Sequence, residues 1–365
     1  MGHLASNAMS HPDYISKWHP LLGERLGKAA LATLPTPVRS VECKTSHGKK
    51  TIHIKCDDLT GDIYGGNKVR KLEYALWPAL RRGKKRVATF GAVGSNHALA
   101  TALYARSVGL GCTCFLSHQK ASPEIAATLN AHLAIETDIV RFGGAYAKRI
   151  ATLRKHLWNR NFWVIPAGGS SWLGTTGFVN AGLELAAQIE HGEIPEPDRI
   201  YIATGTMGSA VGLAIGLAIA GLATRVDAVR VSMTSICNET LMRHLLRKTV
   251  AMLARLDESI SMELIKKTNI RLRHSFFAGG YAHTSTETDD ALKFAADSLD
   301  LRLDGTYTGK AMAALLADIG ETAHEHVLFW NTYNSKPLLP AQSNVALDAL
   351  PEEFRRYCDE RSQEK

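Results

Sequence analysis

Short apolar runs alternate with glycine-rich loops and with stretches of helical apolar spacing from residue 86 onward. An apolar run of about four to eight residues between turn signals is typical of a buried strand. Strands are therefore predicted at 86–90, 112–116, 162–167, 199–204, 225–232 and 326–332, and helices at 96–110, 178–192 and 210–222. Strands that alternate with helices indicate an α/β fold with parallel-type sheets covered on both faces. Ligands of such sheets bind in the loops at the carboxyl ends of the strands.

The composition is that of an ordinary globular protein, with 45% hydrophobic and 21% charged residues in a chain of 365. The formal net charge of +8 comes from scattered basic residues without a nucleic-acid-binding motif. We therefore expect an anionic small molecule as the partner, and no nucleic acid. The uncharged stretch 201–224 predicts a strand, a loop and a buried helix, and no membrane span, because its first half is rich in glycine, threonine and serine.

Six cysteines occur without a CxxC pair or a matching histidine spacing, which indicates neither zinc nor a disulfide framework. We expect free thiols, a reducing compartment and a cytoplasmic protein that carries no metal. Residues 1–9 are typical of a vector-derived leader, with Met9 as the native start. The charged tail 351–365 is expected at the periphery.

Three loops between a predicted strand and a predicted helix are rich in glycine and hydroxyl side chains: 91–95, 168–174 and 204–209. Backbone N–H groups, hydroxyls and a helix N-terminus favour a bound phosphate at the third loop. That loop consists of Thr204, Gly205, Thr206, Met207, Gly208 and Ser209. It matches neither a Walker loop nor GxGxxG, and its glycines could also serve only to turn the chain. Ser95 and Asn96 begin a helix, so they could cap it or could contact a ligand.

Lys68 lies in the segment "YGGNKVRKLEY" at 64–74, behind a glycine pair and at the start of a predicted helix. A lysine that forms a Schiff base with an aldehyde cofactor must be partly neutral near pH 7, which burial or neighbouring cations achieve. Arg70 and Lys71 could supply those cations, and Gly65 and Gly66 could let the backbone approach a ligand. The alternative is an ordinary lysine at a helix start.

Five segments together resemble the 1-aminocyclopropane-1-carboxylate deaminase and D-cysteine desulfhydrase family of pyridoxal-phosphate enzymes. They are "DDLTGDIYGGNKVRKLEY", "GAVGSNHA", "IPAGGSSWLGTTGFVNAGLELA", "ATGTMGSAVGL" and "YTGKAMAAL", which occur in order between about residues 30 and 335. The resemblance implies the tryptophan synthase β-like fold, with two open parallel-type sheets, and a homodimer with pyridoxal 5'-phosphate between two domains. A larger domain is expected at 10–75 and 177–350, with a smaller domain inserted at 76–176.

The resemblance also implies roles for single residues. Lys68 resembles the lysine that holds the cofactor, and Lys71 the second lysine beside it. Asn96 resembles the partner of the cofactor's phenolic oxygen, and Ser95 the hydroxyl near the substrate. The loop 204–209 falls where the family binds the phosphate. Tyr281 and Tyr307 resemble its two active-site tyrosines.

This chain departs from the family pattern at four places. Gly94 replaces the usual glutamine, and Asn331-Thr332-Tyr333-Asn334 replaces a segment with a glycine pair. Thr308 and Thr332 stand at the cofactor where ring-opening members carry Glu and Leu. A hydroxyl at the ring nitrogen makes the cofactor a weaker electron sink than a carboxylate does. The weaker sink suffices only when the substrate carries a good leaving group.

The two threonines therefore favour β-elimination from a small amino acid, with D-cysteine as the first choice of substrate. The products would be pyruvate, ammonia and sulfide. Two alternatives stay open. One is ring opening of 1-aminocyclopropane-1-carboxylate, and the other is a phosphate-ligand-binding protein without catalytic activity. The departure at 331–334 leaves the choice of amino acid and of its enantiomer open.

Overall fold

Ten strands form two sheets in this computed structural model, which describes residues 13–46, 48–158, 161–320, 326–336 and 347–358. The strands are β1 (Val38–Thr45), β2 (Gly48–Lys55), β3 (Arg86–Ala92), β4 (Gly111–Ser117), β5 (Asp138–Arg141), β6 (Phe162–Val164), β7 (Arg199–Thr204), β8 (Arg225–Arg230), β9 (Ile270–Arg273) and β10 (Val327–Trp330). The leader 1–9 lies outside the described residues, as does the end of the charged tail from residue 359 on.

One sheet has six strands in the order β1-β2-β10-β7-β8-β9, and the other has four in the order β5-β4-β3-β6. All neighbours pair in parallel except β1 and β2, which form an antiparallel hairpin. The prediction of two open, parallel-type sheets is confirmed, and the hairpin is the exception that the sequence did not predict. The division into an inserted domain at 76–176 stays a prediction.

The helices alternate with the strands. They are α1 (Tyr14–Trp18), α2 (Pro20–Leu26), α3 (Lys68–Arg81), α4 (Asn96–Ser107), α5 (Pro123–Ala134), α6 (Tyr146–Leu157), α7 (Trp172–Glu190), α8 (Gly208–Ile219), α9 (Glu239–Leu256), α10 (Leu264–Lys267), α11 (Thr286–Leu299), α12 (Thr308–Asp318) and α13 (Glu352–Arg355). None of them, within the described part of the chain, has the length and apolar character needed to span a bilayer. The stretch 201–224 divides into β7, a loop and α8, as predicted.

The core of the larger sheet is built around α7 and α8, whose central residues are almost all buried. These helices pack backbone to backbone: a side chain at Gly212 or Gly216 would collide with a carbonyl oxygen of α7, that of Thr175 or Val179. Glycine is therefore required on this face of α8. The close packing fixes the start of α8, and with it the loop that follows β7.

Candidate active site

A cavity of about 600 Å³ lies at the carboxyl ends of strands from both sheets. Loops after β3, β4, β7 and β10 contribute to its wall, together with the start of α3 and the segment before α12. Twelve of the residues predicted from sequence line it: Lys68, Lys71, Ser95, Asn96, Thr204, Gly205, Thr206, Met207, Ser209, Tyr281, Tyr307 and Thr332. The other two, Gly208 and Thr308, are not part of the wall. The structure therefore brings residues from distant parts of the sequence to one place.

Lys68 is the first residue of α3, and its side chain is partly buried in the cavity wall. Asn67, just before it, is fixed by a bond from its Nδ2 to Ser209 Oγ (2.9 Å) and one from its backbone N–H to the Thr332 carbonyl (3.3 Å). Burial lowers the pKa of Lys68 from 10.5 to about 8, against the opposing effect of the Asp304 charge. The amine is thus partly neutral near physiological pH, as a nucleophilic lysine requires.

The glycine pair before Lys68 serves backbone packing. A side chain at Gly65 would collide with the Asp58 carbonyl oxygen, and one at Gly66 would lie 2.7 Å from the Thr332 carbonyl oxygen. Gly66 also has a φ of +87°, a conformation that favours glycine. Contacts with other backbone segments therefore require the two glycines. Both also line the cavity, so a close approach of this backbone to a ligand stays a prediction.

Arg70 does not contribute a cation to the cavity, so this part of the sequence interpretation was wrong. Its guanidinium is buried on the other side of α3, where it bonds Asp57 (2.7 Å) and Glu184 (2.9 Å). Lys55 also donates to Glu184 (2.5 Å), and Trp330 Nε1 donates to Asp57 (2.7 Å). We call this set the Arg70 cluster. It ties α3 to β2, α7 and β10, and so fixes the helix that carries Lys68.

Lys71 points into the cavity beside the loop after β7. Its Nζ donates to the Gly168 carbonyl (3.1 Å) and to Ser170 Oγ (3.3 Å), and no carboxylate bonds it among the described residues. Ser170 Oγ also lies 2.7 Å from Thr206 Oγ1 and accepts from Gly208 N–H (3.2 Å). Burial and the nearby Lys68 lower the pKa of Lys71. A buried amine without an anion, at the N-terminus of a twelve-residue helix, suits a phosphate.

The loop itself has the shape of an anion-binding site. Met207 has a φ of 66°, a left-handed conformation that non-glycine residues rarely adopt. Such strain is typical of functional loops, where it turns successive N–H groups toward one point. The residues present therefore fit the phosphate of pyridoxal phosphate, with loop 205–209, Lys71 and Ser170 as the groups that could hold it. Ser170 was not predicted, although it lies in a loop that the sequence singled out.

Gly208→Val tests this cradle, because a Cβ at residue 208 would lie 2.6 Å from Ser170 Oγ and 3.0 Å from Lys71 Nζ. We expect the affinity for pyridoxal phosphate to fall about 10- to 100-fold, as loss of one or more charge-assisted hydrogen bonds implies. The matched control is Gly205→Ala, whose Cβ would make only an ordinary contact of 3.7 Å with Tyr307. Titration followed by visible absorbance measures both affinities. Equal affinities in the two variants would place the phosphate elsewhere.

Tyr281 and Tyr307 form a hydroxyl pair, with their oxygens 2.6 Å apart and their rings edge to face. Burial raises the pKa of both phenols, so both are neutral near pH 7. Lys310, on α12, donates to the carbonyls of Phe277 (2.8 Å) and Gly280 (3.1 Å), which holds the loop that carries Tyr281. Lys310 was not predicted as a site residue, although the "YTGK" motif contains it.

Thr308 is fully buried behind the wall, and its hydroxyl donates to Asp304 Oδ2 (2.7 Å). Asp304 also accepts from the backbone N–H of Tyr307 (2.6 Å), and it is the only acidic residue on the cavity wall within the described ranges. Burial raises the pKa of Asp304, and this effect exceeds that of its hydrogen bonds, which lower the pKa. The sequence interpretation gave this end of the cavity a lone hydroxyl, but the structure places a carboxyl there as well. The spacing Asp-x-x-Tyr before a helix is the capping signal that could have revealed it.

Ser95 has the capping role considered from sequence, and contact of Ser95 and Asn96 with a ligand stays a prediction. Ser95 caps α4 by accepting from Ala98 N–H (3.3 Å), and Asn96 Oδ1 accepts from the Tyr64 hydroxyl (3.1 Å). Both residues also line the cavity. Capping and ligand contact are therefore compatible here.

The segment after β10 forms another part of the cavity wall. Asn334 Oδ1 accepts from Gly65 N–H (2.6 Å), and Tyr333 and Thr332 line the wall beside it. The side chains that replace a glycine pair in the family thus narrow this side of the cavity. They change the wall without disrupting the start of α3.

The pKa of Lys68 leads to a pH prediction. Only the neutral amine can attack an aldehyde, so in protein freed of cofactor the rate of cofactor attachment should rise with pH and level off above about 8. Stopped-flow absorbance measures this rate, and Lys68→Arg, which stays protonated, is the control. A rate that is flat between about pH 6 and 10 would contradict the lowered pKa.

A partly neutral buried amine beside an anion cradle at the carboxyl ends of parallel strands defines an enzyme that uses a phosphorylated aldehyde cofactor. Residues 29–332 match the family described as "Pyridoxal-phosphate dependent enzyme". The chain belongs to this family.

The chain is similar to D-cysteine desulfhydrases in sequence and to several solved structures in fold. A D-cysteine desulfhydrase from Salmonella paratyphi A is 32% identical over 81% of this chain and 90% of its own, and one from Klebsiella pneumoniae is 33% identical over 81% and 89%. A solved structure described as an ACC deaminase homologue superposes with a TM-score of 0.72 at 26% identity, covering 88% of this chain and 95% of its own. A serine racemase from Dictyostelium discoideum, at 16% identity and a TM-score of 0.57, shows the shared fold, with 89% and 98% covered.

Proposed function

We propose that this chain is a lyase that eliminates the β-substituent of a small amino acid, with D-cysteine as the first choice of substrate. The observation that carries the proposal is Thr332 on the cavity wall, at a position where the resemblance implies Leu in ring-opening members. Thr308, where the resemblance implies Glu, lies behind the wall and donates to Asp304. The D-cysteine desulfhydrases similar to this chain support it by the activity in their name. The reactive amine of Lys68 and the hydroxyl pair of Tyr281 and Tyr307 supply acid–base groups in the same cavity.

Pyridoxal phosphate, when bound, supplies an electron sink that stabilises negative charge at the α-carbon of an amino acid. We assign to Lys68 the covalent attachment of the cofactor and the removal of the α-proton. Loop 205–209, Lys71 and Ser170 hold the phosphate, and Asn96 orients the ring through its side-chain amide. Ser95 and the tyrosine pair are neutral hydroxyls that can move protons near the substrate carbons.

Departure of the leaving group requires little acid catalysis in this reaction. The bond from the α-carbon to hydrogen and the bond from the β-carbon to sulfur break, and a carbon–carbon double bond forms. Water then releases pyruvate and ammonia. A thiol has a pKa near 8.5, so sulfide leaves as a stable anion without a strong acid beside it. Hence D-cysteine and one water give pyruvate, ammonia and hydrogen sulfide.

Ring opening of 1-aminocyclopropane-1-carboxylate is the second candidate. The likeness to a structure described as an ACC deaminase homologue supports it, as does the presence of both tyrosines. The carboxyl of Asp304, bonded to Thr308, also weakens the argument that this end of the cavity lacks negative charge. The substrate assay must therefore separate the two reactions.

We expect purified holoenzyme to release pyruvate from D-cysteine and from β-chloro-D-alanine, and to form no measurable 2-oxobutanoate from the cyclopropane substrate. Chromatography separates the two keto acids, and L-cysteine controls for stereochemistry. Efficient 2-oxobutanoate formation would support the second candidate and contradict the first. A colourless protein that binds no pyridoxal phosphate would instead support a ligand-binding role without catalysis.

The assembly and the location are also part of this proposal. We infer a homodimer from the resemblance, and the exposed apolar side chains Leu59 and Ile63 support a further contact surface. Light scattering measures the mass in solution. The six cysteines are free thiols, which supports a reducing compartment such as the cytoplasm.

A further inference from the structure

Gln119 fills the space beside Gly94, the position where the resemblance implies a glutamine in the loop 91–95. Gln119 lies in the loop between β4 and α5, and its Oε1 accepts a hydrogen bond from Gly94 N–H at 3.2 Å. A Cβ placed on Gly94 would lie 3.0 Å from Gln119 Nε2 and 3.1 Å from Ile125 Cγ1. A side chain at residue 94 would therefore require the Gln119 amide and Ile125 to shift by a few tenths of an ångström. The chain supplies an amide here from a different loop.

The C-terminal segment fixes the backbone of Gln119. The Tyr357 hydroxyl accepts from Gln119 N–H (3.3 Å) and donates to the Gln119 carbonyl (2.9 Å). Tyr357 itself is buried, although the helix before it, α13, has only four residues. Because the backbone N–H, the carbonyl and the side-chain Oε1 of Gln119 are all hydrogen-bonded, this residue has little freedom to move. Gln119 is thus held in place from two sides.

The free end of this amide faces the cavity. Gln119 lines the wall together with Ser95 and Asn96, and its Nε2 has no hydrogen-bond partner among the described residues. The assignment of Oε1 and Nε2 follows from the bond to Gly94, because only the oxygen can accept. Nε2 therefore carries two N–H donors without a described partner, and it lies near Gly94, in the loop just before α4. This is where the positive end of the helix favours a carboxylate.

We propose that Gln119 is a specificity-determining residue, whose Nε2 donates to the carboxylate of the amino-acid substrate in place of the glutamine absent at residue 94. This inference rests on the proposed function, since it concerns the substrate of that site. It assigns substrate selection to a loop outside the motifs by which the family is identified.

The test transfers the side-chain amide from residue 119 to residue 94, in the loop 91–95. Three holoenzymes are compared: wild type, Gln119→Leu, and the double variant Gly94→Gln with Gln119→Gly. Gly94 does not have a left-handed φ, and removal of the Gln119 side chain leaves the 3.1 Å contact with Ile125 Cγ1, which must shift slightly to admit glutamine. The probes are D-alanine, which lacks a leaving group, and D-alaninamide, which lacks the carboxylate. Calorimetry gives the dissociation constants, and KM and kcat for D-cysteine are measured in parallel.

We expect Gln119→Leu to weaken D-alanine binding about 10- to 100-fold, the effect of one lost hydrogen bond to a charged group. D-Alaninamide binding should change less than about threefold, and KM for D-cysteine should rise while kcat stays nearly constant. The double variant should recover most of the lost affinity. Thermal midpoints and cofactor absorbance should match those of the wild type.

Equal weakening of both probes, or no weakening of either, would overturn the role of Gln119. Failure of the double variant to regain D-alanine affinity, with its cofactor bound, would overturn it too. Tyr357→Phe gives a further measurement, because it removes the two bonds to the Gln119 backbone, together with a bond to His118, while the Gln119 side chain stays in place. It should shift D-alanine affinity in the same direction, and unchanged affinity would count against the proposal. A wild-type protein that eliminates from no β-substituted alanine would instead refute the proposed function.

Discussion

Replacing Lys68 with alanine should abolish elimination and the visible absorbance of bound cofactor, while the protein keeps its fold. The side chain is partly buried and, within the part of the chain that the structure describes, makes no hydrogen bond to another element, so its loss leaves packing nearly unchanged. The amine is both the proposed attachment point and the proposed base. Its removal should therefore lower kcat by at least about 10³-fold. Steady-state assays for pyruvate and absorbance spectra measure the two effects.

Lys120→Ala is the matched control, because Lys120 also lines the cavity but is exposed at its rim. It should keep the cofactor and most of the activity. Borohydride reduction of the wild type followed by peptide mapping should find the pyridoxyl group on Lys68. Its recovery on Lys71 would show that the two lysines have been assigned in the wrong order.

Glu184→Ala should destabilise the protein by about 3–5 kcal/mol, because it leaves the buried Arg70 and Lys55 with an uncompensated charge. Both carboxylate oxygens accept from these cations in a region that water does not reach. Chemical denaturation gives the free energy of unfolding. The control is Glu42→Ala, which removes an exposed pair with Lys49 and should change stability by less than about 1 kcal/mol. Comparable losses in the two variants would show that the Arg70 cluster stabilises little.

The same cluster predicts how stability depends on pH. Burial raises the pKa of Glu184, but Arg70 and Lys55 outweigh it and lower the pKa to about 2, from an ordinary value of 4.5. A carboxylate whose pKa is lower in the folded state stabilises the protein fully above the ordinary value. This contribution is then lost as pH falls from about 4.5 through about 2.

The strands and helices that sequence predicted are those with strong apolar patterns. β7 is apolar over most of its length, and β8 alternates apolar with charged residues; both were placed within about two residues. β1, β2, β5 and β9 were not predicted. They are short or alternate with charged residues, and, apart from the β1–β2 hairpin, their pairing depends on strands farther away along the chain.

The site was predicted to the extent that motifs define it. Lys68 and loop 204–209 lie in recognisable segments, but the direction in which each side chain points depends on packing. Arg70 is two residues from Lys68 and faces the opposite way, because α3 buries that face against Asp57 and Glu184. Asp304 and Gln119 reach the cavity only through the tertiary fold. No local pattern marks Gln119, since its partner Gly94 is 25 residues away.

The position of β10 in its sheet has a consequence for how the protein is made on the ribosome. β10 lies between β2 and β7, although about 270 residues separate it from β2 along the chain. At roughly 5–20 residues per second, synthesis of this interval takes about 15–55 s. During that time β2 presents an unpaired edge toward the missing strand, and β7 does so from its own synthesis onward; edges of this kind promote aggregation. Thr332, which follows β10, completes the wall of the cavity only after nearly the whole chain has emerged. The nascent protein therefore has no finished cofactor site to bind and stabilise it until the last stage of synthesis.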